Sequence, residues 1–278
     1  EYAGDGSDVF GIATADTNIN SGENLNYAPN ASTTLVDDDG INLRPMDWEI
    51  TDIDNDGVEE ICFADRKGSD ASGGYYFGIV SVDNIPDNAD GSEAWEMEIS
   101  GLDFLLDDDI QNKWDVATIG NNFYSFDEEG ISKVSWNGSD YEYKELMPMV
   151  GGSSNQSAVV VDLDNDETEE IICSVYDWAD DTQKRIMILQ EDADGLKHTN
   201  LFNISKYWTS RGSWGSAIGD VDGDGYHDYV CGSRGGTVEG RIFMTSYKGG
   251  GILDSMNYEF SVIDSNYADG GIWSIFSM

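Results

Sequence analysis

Short apolar runs separated by polar turns fill the chain from end to end, and they predict a protein made of short β-strands. Runs such as EEICFAD, EEIICSV and HDYVCGS combine β-branched, aromatic and sulfur-containing residues over the length of one strand. Asn137-Gly138 separates two further runs and is a favoured hairpin turn. No apolar run approaches the roughly 20 residues that a membrane-spanning helix needs. With 32 Gly and only 4 Pro, the chain is suited to many tight turns, and the pattern predicts an all-β fold.

An acidic pattern precedes three of these runs and repeats along the chain. The segments are DIDNDGVEEICFAD from Asp52, DLDNDETEEIICSV from Asp162 and DVDGDGYHDYVCGS from Asp220. Each has Asp at its first, third and fifth positions and Asp or Glu at its ninth, directly before the apolar run. Such repetition is typical of architectures in which each copy is one supersecondary unit.

The spacing of the copies predicts a fourth one. Asp162 follows Asp52 by 110 residues and Asp220 follows Asp162 by 58, so that 110 reads as two periods of 55. A hidden copy is then expected to begin at residue 107, where the sequence is DDDIQNKWDVATIG. Its residues at the first, third, fifth and ninth positions are Asp107, Asp109, Gln111 and Asp115.

The two ends of the chain extend the same periodicity and predict a closed ring. The last residues, DGGIWSIFSM, resemble the SRGSWGSAIG that precedes Asp220, and the first residues, EYAGDGSDVFGIAT, match a worn acidic loop with Glu1, Ala3 and Asp5. Five periods of 51 to 59 residues account for the 278 residues, each with room for four short strands, which is the composition of a propeller blade. We expect one β-propeller domain over residues 1–278, with one blade closed by the N- and C-terminal strands. The alternative is a fragment of a larger propeller. The expected five four-stranded blades are 270–278 with 1–45, 46–100, 101–152, 153–208 and 209–269.

The three strong segments resemble the FG-GAP/VCBS repeats of integrin α-chain propellers and of many secreted microbial proteins. This resemblance implies a propeller fold with calcium in the turn between the first two strands of each blade. The chain departs from the family in having only five expected blades and in the worn loops at residues 1 and 107.

The loop composition fits the chemistry of calcium, which takes about six to eight hard oxygen ligands in a flexible geometry. Carboxylates at positions one, three, five and nine and a backbone carbonyl at position seven would supply such ligands, so three to four structural Ca²⁺ ions are expected; plain acidic turns are the alternative. In the three strong loops the expected ligands are Asp52, Asp54, Asp56, Val58 and Glu60; Asp162, Asp164, Asp166, Thr168 and Glu170; and Asp220, Asp222, Asp224, Tyr226 and Asp228.

The sixth residue of each loop is expected to adopt a backbone angle that most residues disfavour. Gly57 and Gly225 suit such an angle, whereas Glu167 at the same position predicts a strained backbone.

An EF-hand would show a similar acidic start but needs a bidentate Glu at its twelfth position. The twelfth residues here are Phe63, Cys173 and Cys231, and no helical pattern flanks the loops. The sequence therefore excludes the EF-hand.

Charge and cysteine content narrow the functional classes. The formal net charge is −41, with 55 acidic and 14 basic residues, which disfavours nucleic acid and anionic membranes and attracts divalent cations. Cys62, Cys173 and Cys231 each sit in an apolar run, so we expect buried free thiols in strands rather than a disulfide framework.

Catalytic signals are weak. His198 and His227 are the two histidines, neither lies in a nucleophile motif, and no metalloprotease or phosphate-loop pattern occurs. Carboxylates are too numerous to single out a glycosidase pair. We expect an extracellular or cell-surface recognition or adhesion module for a carbohydrate or protein partner. Two alternatives stay open: a self-assembling subunit of a surface filament or layer, and a polysaccharide lyase or glycosidase.

Basic and aromatic residues suggest where a partner would bind. The turns at the end of the ring opposite the calcium loops are enriched in Arg and Trp, a composition typical of recognition surfaces. Ordinary surface cations and blade-packing Trp are the alternative, which Trp214 and Trp273 favour because both stand six residues before a loop start. The expected ligand-binding residues are Arg44, Arg66, Lys67, Trp178, Trp208, Arg211 and Arg234.

Overall fold

The structure is a computed structural model of the chain, and it describes about two thirds of the sequence in eleven segments. These are residues 9–15, 27–34, 45–65, 77–84, 96–102, 113–127, 130–148, 153–177, 185–205, 213–233 and 240–267.

Most of the described residues lie in β-strands, because short β-branched and aromatic runs alternate with Gly-, Asn- and Asp-containing turns. One 3-10 turn, Ser255–Asn257, precedes the last strand. No helix in the described part is long and apolar enough to cross a membrane. The strands are β1 (Val9–Ala15), β2 (Tyr27–Thr34), β3 (Pro45–Thr51), β4 (Glu60–Asp65), β5 (Phe77–Asn84), β6 (Glu96–Leu102), β7 (Lys113–Ile119), β8 (Asn122–Asp127), β9 (Gly130–Trp136), β10 (Tyr141–Pro148), β11 (Ser153–Val161), β12 (Glu170–Asp177), β13 (Arg185–Asp192), β14 (Gly195–Asn203), β15 (Ser213–Gly219), β16 (Asp228–Ser233), β17 (Gly240–Tyr247) and β18 (Tyr258–Tyr267).

Sixteen of these strands form four antiparallel four-stranded sheets, each built from consecutive strands. We call them blade 1 (β3–β6), blade 2 (β7–β10), blade 3 (β11–β14) and blade 4 (β15–β18). The first strands contact one another in the order β3, β7, β11 and β15, so they form the inner layer of a propeller. The expected all-β propeller architecture is confirmed at this level.

The strands β1 and β2 pair with each other as a two-stranded sheet. They fall within the segment expected to belong to the blade shared by the two chain ends. The inner strand of that blade was expected at 270–278, which lies outside the described residues. The described part of the chain therefore shows four complete blades.

Apolar clusters between neighbouring blades form the core. One cluster joins blades 1 and 2 around Ile79 and Phe123, a second joins blades 2 and 3 around Phe126 and Leu189, and a third joins blades 3 and 4 around Phe243. The expected buried cysteines without a disulfide framework are confirmed, because all three cysteines are buried and none forms a disulfide. The blades thus hold together face to face through buried apolar side chains.

The expected acidic loop at residue 107 does not occupy the connection between the first two strands of blade 2. That connection is the tight turn Gly120-Asn121 between β7 and β8. Asp115, expected as the ninth loop residue, lies inside β7, while Asp107, Asp109 and Gln111 lie outside the described residues. The physical reason is that the connections differ in length. The last residues of β3 and β7 are 68 residues apart, and those of β7 and β11 only 42. The spacing of 110 between the first and second strong segments is their sum, so dividing it into equal halves misplaces the turn of blade 2.

Candidate metal centres

Three acidic loops occupy the same place in three blades. They join the first and second strands of blades 1, 3 and 4 and span residues 52–59, 162–169 and 220–227. We call them the first, second and third loop. Because each follows the inner strand of its blade, all three lie at one end of the propeller.

The first Asp of each loop folds the turn around its own carboxylate. In the first loop, Asp52 Oδ1 accepts the N–H of Asp56 at 3.0 Å and Oδ2 accepts that of Gly57 at 3.0 Å. Asp162 accepts two N–H groups in the same way at 3.0 Å each, and Asp220 accepts two at 2.7 and 3.1 Å. The carboxylate thereby satisfies backbone donors that no strand pairs with.

Two residues of each loop adopt left-handed backbone angles. At the sixth position φ is +94° at Gly57 and +93° at Gly225, as the glycines predicted. Glu167 holds φ at +72° at the same position, which confirms the expected strain, since a side chain disfavours this region. At the fourth position Asn55 and Asn165 are also left-handed, a region that Asn tolerates better than most residues.

Each loop brings three carboxylates together, from its first, third and ninth residues. The carboxylate oxygens of each triad lie within 4.8 Å of one another. The triads are Asp52, Asp54 and Glu60; Asp162, Asp164 and Glu170; and Asp220, Asp222 and Asp228.

The carboxylate of the ninth residue accepts the N–H of the second residue in each loop. Glu60 Oε2 accepts the N–H of Ile53 at 3.0 Å, and Glu170 Oε2 accepts that of Leu163 at 3.1 Å. Asp228 Oδ2 accepts the N–H of Val221 at 2.7 Å. The three side chains are buried at the start of the second strand, so the loop's deepest oxygens are held in place by the sheet.

The fifth residue of each loop stands outside the triad. Oδ1 of Asp56, Asp166 and Asp224 accepts the N–H of the seventh residue, at 2.8, 2.8 and 3.0 Å. These carboxylates thus cap the turn, and the geometry brings together only three of the four expected carboxylate ligands in each loop. The expected carbonyl ligands of Val58, Thr168 and Tyr226 stay predictions.

Burial and mutual repulsion shift the titration of the triads. Burial raises the pKa of Glu60 to about 7, against a hydrogen bond from Ile53 that lowers it, and the charges of Asp54 and Asp56 raise it further. Burial likewise raises the pKa of Glu170 to about 7. The pKa of Asp164 is raised, first by burial and then by Asp166 and Asp162. Gathering these carboxylates therefore costs free energy unless a cation joins them.

The residues present fit a hard divalent cation. Every ligand atom of the triads is a carboxylate oxygen, the donor type that calcium and magnesium prefer. In the second loop Oδ1 of Asp164 is buried without a hydrogen-bond partner among the described residues. Neither of the first two loops makes an ion pair with Lys or Arg in the described part of the chain.

The third loop differs because a lysine reaches it. Lys248 Nζ pairs with Oδ2 of Asp222 and, at 2.7 Å, with Oδ2 of Asp224. Lys248 could not be predicted as part of the loop, because it lies 26 and 24 residues beyond its partners, on the connection after β17. Only the strand pairing of blade 4 brings it to the loop.

Asp115 serves a different purpose from the expected one. Its Oδ2 accepts the N–H of Ala158 in blade 3 at 2.5 Å, and Asp47 Oδ2 accepts the N–H of Val116 in blade 2 at 3.2 Å. Both carboxylates thus link their inner strand to the next one. Burial, followed by the hydrogen bond and charge of Asp47, raises the pKa of Asp115 well above its usual value.

Polar contacts also tie the loops to the following blade. The carbonyl oxygen of Asp52 accepts the side-chain amide of Asn121 at 2.5 Å, and that of Asp162 lies 3.3 Å from Nδ1 of His227. The first residue of each of these loops is therefore fixed from both its own blade and its neighbour.

The expected ligand-binding surface cannot be placed, because every residue assigned to it lies outside the described residues. These are Arg44, Arg66, Lys67, Trp178, Trp208, Arg211 and Arg234. Comparison with models of known protein families gave no match, and a search of curated protein sequences gave none either; the FG-GAP/VCBS resemblance stays a prediction.

Proposed function

We propose that the chain is a calcium-stabilised β-propeller that works outside the cell as a recognition module. One observation carries the calcium part of the proposal. Three loops at equivalent positions of blades 1, 3 and 4 each gather a first, third and ninth carboxylate within 4.8 Å. A recurring geometry with buried, like-charged oxygens is the arrangement that a structural cation would stabilise.

Calcium suits these loops better than magnesium. Calcium accepts irregular sets of about six to eight oxygens, whereas magnesium demands a near-ideal octahedron and keeps several waters. Each loop supplies three converging carboxylates, a fourth from the fifth residue nearby and several backbone carbonyls along an irregular turn. When bound, the ion would neutralise part of the triad charge and hold the first two strands of the blade together.

An uncovered face of blade 1 supports a fifth blade. Trp48 and Ile50 of β3 are 56% and 57% exposed. They alternate along the strand with Asp47 and Glu49, and Asp47 is the side chain that bonds blade 2. The residue of β7 equivalent to Trp48 is Val116, which is only 1% exposed because it packs against blade 1. We therefore propose that β1, β2 and residues 270–278 form a fifth blade that covers Trp48 and Ile50 and closes the ring.

The extracellular setting follows from the calcium proposal. Calcium sites of extracellular modules have dissociation constants of roughly 10⁻⁴–10⁻³ M, so sites of this kind fill at extracellular calcium concentrations. Calcium would then supply the cross-linking that disulfides give to many secreted domains, since none of the three cysteines forms a disulfide.

Calcium binding is tested by thermal melts of the protein after chelation and after return of calcium. The proposal predicts a large, saturable rise in melting temperature with calcium, because the ion binds the folded state only. Asp52→Asn and Asp162→Asn should each reduce that rise, whereas Asp194→Asn, at an exposed turn, should not. An equal melting temperature with and without calcium in the unsubstituted protein would refute it.

Recognition is tested on arrays of acidic and neutral glycans, with light scattering alongside. The proposal predicts a monomer that is retained on particular glycans in calcium and released by a chelator. Assembly into large particles on adding calcium would instead support the filament or layer subunit. Cleavage of an anionic polysaccharide would support the enzyme.

A further inference from the structure

The third loop carries its own cation. Lys248 Nζ pairs with Oδ2 of Asp222, a member of the third triad, and with Oδ2 of Asp224 at 2.7 Å. The Lys248 ammonium group is therefore already paired with a carboxylate that would ligate a bound calcium ion. The Lys248 side chain is 30% exposed, so water screens this contact only in part.

Local structure fixes Lys248 in this position. Its N–H donates to the carbonyl of Asn257 at 2.8 Å, which sets the start of the β17–β18 connection. The preceding residue, Tyr247, is buried and meets the ring of Tyr226 edge-on at 5.1 Å. Because Tyr226 is the seventh residue of the third loop, this contact holds the loop against the strand end from which Lys248 projects.

The equivalent positions of the other two blades carry the opposite charge. The pairing of Tyr229 with Thr245 in blade 4 matches that of Ile171 with Leu189 in blade 3 and Ile61 with Val80 in blade 1. Three residues after Thr245, Leu189 and Val80 stand Lys248 in blade 4, Asp192 in blade 3 and Asp83 in blade 1. Asp192 is itself paired with Lys197 of the same β13–β14 hairpin.

We propose that Lys248 is an internal counter-ion that competes with calcium for the third loop. The inference rests on the proposed calcium function. It has two consequences: the third loop binds calcium more weakly than the first and second, and it keeps its conformation when calcium is removed. The first two loops have no such partner in the described residues, so their order depends on the ion.

The size of the effect follows from the exposure of the pair. Ion pairs that are partly open to water contribute modestly, and two of them together correspond to roughly a three- to tenfold change in binding. The third loop should therefore fill at a roughly three- to tenfold higher calcium concentration than the other two.

Hydrogen exchange followed by mass spectrometry during a calcium titration measures each loop separately. Peptides covering residues 52–60 and 162–170 should gain protection first, and a peptide covering 220–228 should be protected before calcium is added. In Lys248→Met, which keeps a long unbranched side chain but not its charge, the third loop should lose protection in chelator. Its calcium midpoint should also fall roughly three- to tenfold.

Lys197→Met is the matched control, because its ion-pair partners, Asp192 and Asp194, lie in the β13–β14 hairpin and belong to none of the three loops; it should leave all three midpoints unchanged. Protection of residues 220–228 that is equal in Lys248→Met and in the unsubstituted protein would overturn the inference, although the first two loops still bind calcium. If calcium protects none of the three loops, the proposed function fails as well.

Discussion

The sixth position of the second loop offers a direct way to raise the stability of the protein. Glu167 has a φ of +72°, whereas the matching Gly57 and Gly225 have φ of +94° and +93°. A Cβ added to either glycine would meet no atom within 4 Å. The strain at this position is therefore in the backbone of the residue itself rather than in contacts with its neighbours.

The expected gain follows from two opposing effects of Glu167→Gly. Relief of the left-handed conformation contributes roughly 1–2 kcal/mol. The greater freedom that glycine gives to the unfolded chain removes roughly 0.4–1 kcal/mol of this. The free energy of unfolding should rise by about 1 kcal/mol, which for a chain of this size corresponds to roughly 2 °C in melting temperature.

Urea unfolding in excess calcium, followed by tryptophan fluorescence, measures this change. Glu167→Gln separates the backbone effect from the loss of a negative charge, and it should give little of the gain. The reciprocal substitution Gly57→Gln should lower the free energy of unfolding by about 1 kcal/mol. The reasoning is refuted if Glu167→Gly is no more stable than Glu167→Gln, or if Gly57→Gln unfolds like the unsubstituted protein.

Three further predictions concern the core, the titration of the triads and the inter-blade contacts. Gly78→Ala should destabilise the protein by roughly 1–3 kcal/mol in urea unfolding, because its Cβ would lie 1.9 Å from Cζ of the Phe63 ring. In chelator the melting temperature should fall as the pH rises from 4.5 to 8. The pKa values of Glu60 and Glu170 are raised from 4.5 to about 7 in the folded protein, so the folded state holds these protons more tightly than the unfolded chain. Their contribution to the free energy of unfolding is therefore complete below pH 4.5 and is lost as the pH rises through 7. Asp115→Asn should leave stability and calcium stoichiometry nearly unchanged, since its side-chain carbonyl can accept the N–H of Ala158 in place of Oδ2, whereas Asp115→Ala should cost roughly 1–3 kcal/mol.

Each of these predictions has a matched comparison. Gly219→Ala adds the same methyl group where no atom lies within 4 Å, and a loss as large as that of Gly78→Ala would contradict the packing argument. Glu60→Gln with Glu170→Gln should flatten the pH dependence in chelator; a slope that persists points to other groups. If Asp115→Asn bound one calcium ion fewer than the unsubstituted protein, Asp115 would be a calcium ligand, as first expected.

The loops could be predicted from sequence because their structure is local. Alternating Asp residues and the closing acid at the ninth position lie within nine residues of one another, and the first Asp accepts backbone N–H groups only three to five residues ahead. The left-handed angle at Gly57 and the strain at Glu167 follow from the same short pattern. Local hydrogen bonding of this kind depends little on the rest of the fold.

The position of the loop in blade 2 could not be predicted, because repeat spacing averages over connections of unequal length. Blade 1 uses long connections and blade 2 short ones, so a period of 55 placed Asp115 in a loop although it lies in a strand. Lys248 was hidden for another reason: its contact with Asp222 spans 26 residues and arises only through strand pairing.

Anomalous diffraction from a crystal grown with calcium tests the central claim most directly. The account predicts calcium peaks in three places, each bound by the first, third and ninth carboxylates of one loop: Asp52, Asp54 and Glu60; Asp162, Asp164 and Glu170; and Asp220, Asp222 and Asp228. Empty triads at millimolar calcium, or ions bound only elsewhere on the chain, would contradict it.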